Sequence, residues 1–221
     1  MSWELLWPLI LEGLWDTLYM TIPSTVLSYL IGMPLGLLLV VTARDGIRPL
    51  PKFNSILGML VNFLRSIPFI ILLVLLFPVT RAIMGRAIGT KAVIFPLVIS
   101  AFPYVARMVE GSVREVDRGV IEAAKSMGST DWQIILKVMI PEALPALLNG
   151  AAICMVTILG YTAMASAAGG GGLGALAITK GLNMRKYEIM YSASLTLVAL
   201  VQVMTLAGNR VSKNSDHRIK S

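Results

Sequence analysis

Charge is what this chain has least of: Asp, Glu, Lys and Arg make up 14% of its 221 residues, where a soluble domain carries about a quarter. With 56% hydrophobic residues and a mean hydropathy of +0.77, that shortage excludes an ordinary soluble fold. It points to one membrane domain with several spanning helices. Cysteine and histidine are scarcer still. The single Cys154 excludes disulfides within the chain, and its apolar neighbours mark it as a packed thiol. The single His217, in a polar tail, cannot join it in a zinc site of the usual kind, which draws more ligands of those types. No G-x-x-x-x-G-K-[ST] loop is present to cradle ATP. Neither H-E-x-x-H nor G-x-S-x-G occurs, and the apolar segments lack a nucleophile with its base, so the chain is not read as an enzyme. A cleavable signal peptide is not expected, because no basic residue opens the chain and its first apolar run is too long.

The basic residues that are present set a topology. The net charge of +7 is spread between apolar runs rather than gathered on one face, which argues against nucleic acid. Five spans are expected, at about 17–42, 56–78, 92–108, 141–168 and 189–207, each adequate or nearly so for a core of ~30 Å at ~1.5 Å per residue. Only Glu4, Glu12 and Asp16 carry charge before Arg44, whereas Arg44, Arg48 and Lys52 cluster in the first loop. The positive-inside rule therefore places the N-terminus outside. The first loop, a polar insert at 109–140 and a tail with Arg210, Lys213, Arg218 and Lys220 then face the cytoplasm.

The insert contains two helix signals. Residues 121–127 read as a short helix stopped by Gly128, a residue enriched just past helix ends. Ser129, Thr130 or Asp131 can cap a second helix, on which Trp132, Ile135, Leu136 and Met139 share one apolar face. Pro141 ends that helix or opens the next span as a first-turn proline. Such a hairpin either rests on lipid headgroups or serves as a docking knob, with Ala123 and Ala124 allowing close approach and Glu122 meeting a partner's basic rim.

Glu122-Ala123-Ala124, Gly128 and the closing Val138-Met139-Ile140-Pro141 resemble the EAA loop of binding-protein-dependent ABC importer permeases, with Val138 and Ile140 as conservative departures. Arg65-Ser66-Ile67-Pro68, Pro141-Glu142-Ala143-Leu144-Pro145 and the glycine run after Gly160-Tyr161-Thr162-Ala163-Met164 are similar to the small, five-span methionine-uptake branch. That resemblance implies an all-α permease in the cell membrane, working as a homodimer with two cytoplasmic ATPase subunits and an extracytoplasmic methionine-binding lipoprotein. ATP and magnesium would be bound by the ATPase, and the permease itself would need no cofactor. It also implies that Glu122, Ala123, Ala124 and Gly128 form the helix that sits in a cleft of the ATPase. Permeases for other amino acids, phosphonate or glycine betaine share the insert, and a secondary carrier is the more distant alternative.

Three further features bear on transport. Gly169, Gly171 and Gly174 satisfy G-x-G-x-x-G, but an apolar helix rather than a strand precedes them, so the dinucleotide reading fails. Gly170 with Gly174, and Gly32 with Gly36, have the small-xxx-small spacing of helix contacts. The glycine run is then either a close-packed loop or a hinge. Met164, with Ala163, Ser166 and Tyr161, is the gate or path candidate, because a flexible thioether from two copies can close a narrow passage. Arg65 is read as the one basic residue inside an apolar region; it snorkels, meets carbonyls or an acid, or lines the path. No intramembrane acid pair or His chain accompanies it, which disfavours a proton-driven carrier.

Overall fold

The computed structural model describes residues 3–215, and every regular element among them is helical. His217, Arg218 and Lys220 lie outside the described residues.

Helix α1 (Trp3–Val41) is a single run of 39 residues that begins well before Thr17. Its early acids do not interrupt it: Glu4 sits in the first turn, where a negative charge complements the helix dipole, and Glu12 is exposed. Three buried threonines are accommodated by back-bonding to the preceding turn, the usual way an apolar helix satisfies a hydroxyl. Thr17 donates to the Gly13 carbonyl at 2.7 Å, Thr21 to Thr17 at 2.7 Å and Thr25 to Thr21 at 2.8 Å.

The stretch expected as a second span, 56–78, is divided among α2 (Pro51–Arg65), α3 (Phe69–Leu75) and α4 (Phe77–Met84). Pro51 opens α2 at a first-turn position. Pro68 takes an extended conformation (φ −57°, ψ 136°) and disfavours helix in the residue before it, which separates α2 from α3. Gly85 ends α4 with φ +74°. Helix α5 (Thr90–Arg114) covers 92–108 and continues into the expected insert. The insert holds α6 (Arg118–Ser126) and α7 (Asp131–Ile134). A π-helical turn, Ile135–Met139, leads without a break into α8 (Ile140–Met164), so Pro141 neither ends a helix nor opens one: it lies inside the continuous run Asp131–Ala168. A 3₁₀ turn (Ala165–Ala168), the glycine run, the short α9 (Leu173–Ala175), a second π turn (Leu176–Leu182) and α10 (Tyr187–Ser215) complete the order. Among the described residues four helical runs are long and apolar enough to cross a membrane, and five if the broken pair α2–α3 forms one span.

The chain forms two compact units, and α1, α5, α8 and α10 contribute to both. One gathers the chain up to Ser28, Ile67–Ala101 and Cys154–Leu206. Its core joins Leu6 and Ile10 of α1 to Leu173, Leu176, Ile189 and Ala193. The other gathers Tyr29–Ser66, Phe102–Ile153 and the chain from Ala207. There Leu39, Val61 and Ala106 pack together, and the paired glycines of α1 admit α5. A Cβ on Gly32 would lie 2.6 Å from the Phe102 carbonyl, and one on Gly36 would lie 2.5 Å from that of Ala106. The small-xxx-small spacing at Gly32 and Gly36 is thus a backbone-to-backbone contact.

Candidate functional site

The polar insert is shaped by caps at each helix end. Asp117 precedes α6, and its Oδ1 accepts from the N–H of Gly119 at 2.7 Å and of Val120 at 3.3 Å. At the other end the Ser129 N–H donates to the Ala124 carbonyl at 3.1 Å and the Gly128 N–H to Lys125 at 3.0 Å. These two bonds form a Schellman motif, with Gly128 supplying the left-handed residue at φ +79°. Thr130 then starts α7 with a capping box: its hydroxyl accepts from the Gln133 N–H, and the Gln133 side chain accepts from the Thr130 N–H at 2.9 Å. Glu122 and Ala123 are exposed, whereas Ala124 is buried and faces the molecule's interior. Glu122, Ala123 and Ala124 therefore lie on a short, doubly capped helix that presents Glu122 outward, and Gly128 closes the turn beyond it.

The apolar face of the second helix differs from the one the spacing suggests. Ile134, Ile135 and Met139 are buried, but Trp132 is 72% exposed and Leu136 58%. The π turn separates Met139 from Leu136, since its wider i→i+5 pitch rotates the residues after Ile134 away from the 3.6-residue register; Trp132 precedes the turn and lies on the exposed side of α7. As a result α6 and α7 expose Val120, Met127, Trp132 and Leu136 together with Glu122 and Lys125. Beside α6 lies a cleft of about 370 Å³ whose polar lining is Asp45, Arg114, Arg118, Glu122 and Lys125.

Residues 28–221 match the family described as the binding-protein-dependent transport system inner membrane component. The chain belongs to that family. It is accordingly a multi-pass inner-membrane protein. It is 44% identical over 210 residues to a probable D-methionine transport system permease protein, MetI, of Vibrio cholerae, covering 95% of this chain and 93% of that protein. The D-methionine transport system permease protein MetI of Escherichia coli K12 is 47% identical over 164 residues, covering 74% of this chain and 75% of that protein. Among solved structures, an inward-facing conformation of the MetNI methionine ABC transporter matches with a TM-score of 0.95 at 42% identity, covering 98% of this chain and all of that chain.

Within this family member, the gate candidates lie in the unit that contains Cys154–Leu206, and the insert lies in the other. Tyr161 is half-buried and stacks on Phe69, with ring centroids 4.9 Å apart and planes 8° from parallel. Met164 is the last residue of α8 and is half exposed. Ser166 donates to the Ala163 carbonyl at 3.2 Å, which tightens the turn beyond it. Gly174 lies directly against Ala163, leaving no space for a side chain. The glycine run is held at its backbone: Gly171 N–H donates to the Thr90 hydroxyl at 3.1 Å and Leu173 N–H to that of Thr17 at 2.9 Å. It is a close-packed loop, not a phosphate cradle.

Arg65 is exposed at the end of α2, with its guanidinium carbon 6.0 Å from the centroid of the Tyr104 ring, at the outer range of a cation–π contact. It is not the one basic residue in an apolar span. Arg107 lies inside α5 and pairs with Glu110 at 2.6 Å. Glu110 is nearly buried and also receives Arg114 at 3.1 Å. The signal was present in the sequence as opposite charges at 107, 110 and 114, a spacing that aligns them on one helix face. Among the described residues no group of three His, Cys, Asp or Glu side chains could hold a metal ion.

Proposed function

We propose that this chain is the permease subunit of an ATP-driven importer and that two copies form the path for methionine, as D or L isomer. The observation that carries this is the 44% identity to a probable D-methionine permease across 95% of the chain. The 0.95 TM-score against the MetNI methionine ABC transporter supports the same conclusion. Hydrolysis belongs to two copies of a separate cytoplasmic ATPase, and solute arrives on an extracytoplasmic binding lipoprotein. Five spans, counting α2 and α3 as one, leave the N-terminus outside and the C-terminus in the cytoplasm.

The coupling element is the capped pair α6–α7. Glu122, Ala123, Ala124 and Gly128 enter a cleft of the ATPase, and the exposed Met127 and Trp132 supply apolar contact. Closure of the ATPase on ATP draws the two insert helices together and turns the spans toward an outward-open state; hydrolysis returns them. Met164, exposed at the end of α8, closes the path against its symmetry mate, and Ala163, Ser166 and Tyr161 hold it in place.

The test is uptake of labelled D- and L-methionine into proteoliposomes that contain the purified complex and binding protein. Uptake that requires ATP, and is competed by methionine but not by glycine betaine or phosphonate, is expected. Uptake that persists without the ATPase would instead indicate a secondary carrier. Unchanged ATPase association in a Gly128→Pro, Glu122→Arg double variant would overturn the docking role of α6.

A further inference from the structure

A chain of charges runs through the cytoplasmic end of α5 and reaches two other elements. Arg107, Glu110 and Arg114 share one face of α5, and the nearly buried Glu110 accepts from both cations. An acid and a guanidinium are tolerated in a low-dielectric interior only when they are paired, and here both Arg107 Nη atoms are bonded while its buried Nε has no partner. The second Arg107 nitrogen, Nη2, donates to the Gly58 carbonyl in the middle of α2 at 2.7 Å. Glycine at that position permits the approach, since a Cβ there would come 3.1 Å from the same nitrogen. One turn earlier, Asn54 of α2 donates to the Leu39 carbonyl at 2.6 Å and to Thr42 at 3.0 Å, so α2 is tied to α1 as well. In the other direction Arg114 lies 3.8 Å from Asp45 of the first loop, and Asp45 also binds Arg118, the first residue of α6.

We propose that Arg107 and Glu110 are positioning residues that lock α2 to the start of α6, so that movement imposed on α6 is delivered to α2 instead of being lost in the joint between α5 and α6. The inference rests on the coupling role of α6 proposed above. The two ends of the chain have different character. Arg118 and Asp45 are exposed, so their contact is weak and adjustable. Arg107 and Glu110 are largely enclosed; removing Glu110 leaves the Arg107 guanidinium without a carboxylate, and removing Arg107 leaves Glu110 paired with Arg114 alone and takes away the bond to Gly58. The enclosed pair is therefore the part whose loss changes transmission.

The experiment compares the reconstituted complex carrying Arg107→Met, Glu110→Gln or the swapped pair R107E/E110R with wild type, and measures ATPase association, ATP hydrolysis and methionine moved per ATP. Both single variants are expected to bind the ATPase and hydrolyse ATP while moving about tenfold less solute per ATP, within the ~5–150-fold range of site-to-site coupling. The swap restores the ion pair but not the bond to Gly58, because a carboxylate at 107 cannot donate. It also sets an arginine at 110 beside Arg114 and a carboxylate against the Gly58 carbonyl, so it should recover neither full thermal stability nor the transport ratio. A wild-type ratio in the single variants, or its recovery in the swap, would overturn the link to α2. If the single variants fail to assemble, the swap decides by the same ratio; loss of all three complexes would mean that the pair serves folding only, and would also overturn it. A wild-type complex with no ATP-driven uptake would count against the importer reading instead.

Discussion

Gly128→Ala isolates the backbone contribution of the turn that ends α6. A Cβ at Gly128 would meet nothing within 4 Å, so substitution there introduces no steric contact with the rest of the protein. What it does introduce is a non-glycine residue at φ +79°, which costs ~1–2 kcal/mol for an ordinary L-residue. Asparagine tolerates that region better, because its side chain bonds locally. If the ATPase binds α6 only with the Schellman turn closed, the whole cost falls on association. The Kd for the ATPase should then rise ~5–30-fold, the factor that one or two kcal/mol represents. Gly128→Asn should weaken binding by much less. The measurement is titration of detergent-solubilised variants with labelled ATPase at fixed salt, with amide exchange at Ser129 and Gly128 as an internal check on the turn. Equal affinity of wild type, Ala and Asn, with exchange accelerated only in Ala, would refute the requirement for a preformed turn. Equal affinity with unchanged exchange would refute the assigned strain.

Four other substitutions have definite expected outcomes. Gly36→Ala should lower the Tm of the detergent-solubilised protein, because its Cβ would press on the Ala106 carbonyl at 2.5 Å and overpacking of this kind costs ~1–3 kcal/mol. Gly111→Ala in α5, where a Cβ meets nothing within 4 Å, should leave it unchanged or raise it, since alanine is favoured over glycine in a helix by ~0.5–1 kcal/mol. Thr130→Ala removes the capping box of α7 and should cost ~1 kcal/mol, read as faster amide exchange at Gln133 and weaker ATPase binding. Met164→Ala should make proteoliposomes leak methionine without ATP if the thioether closes the path; vesicles as tight as wild type would remove Met164 from that role.

How much of this was legible in the sequence depends on the distance over which each feature is determined. The end of α6 and the start of α7 were readable because Gly128 and Thr130 act on backbone groups within five residues, whereas the start of α6, expected at 121, lies at Arg118 behind the Asp117 cap. The close approach at Gly32 and Gly36 was readable for a related reason: the absence of a side chain, repeated every fourth residue, already marks a helix face that another backbone can touch. The face running on from α7 was misread in part because a π turn changes the pitch after Ile134, and nothing in the residue types of Ile135–Met139 announces it. The break in the second span was within reach, since Pro68 restricts its neighbour, but hydropathy alone runs straight through Ser66–Pro68. Arg107 was hidden by a different cause. Its spacing from Glu110 and Arg114 is local, yet what makes the trio consequential is the Gly58 carbonyl and the Asp45 carboxylate, which come from other parts of the chain. A periodic pattern can place charges on one side of a helix; it cannot say which distant backbone oxygen waits there. The same limit applies with more force to Glu122. Its exposure and its doubly capped helix describe a rigid surface element without a partner, and the chemistry that would use it lies in another chain. Force-bearing residues in a permease are for that reason better sought as enclosed pairs that bridge elements, such as Arg107 and Glu110, than as exposed motif residues alone.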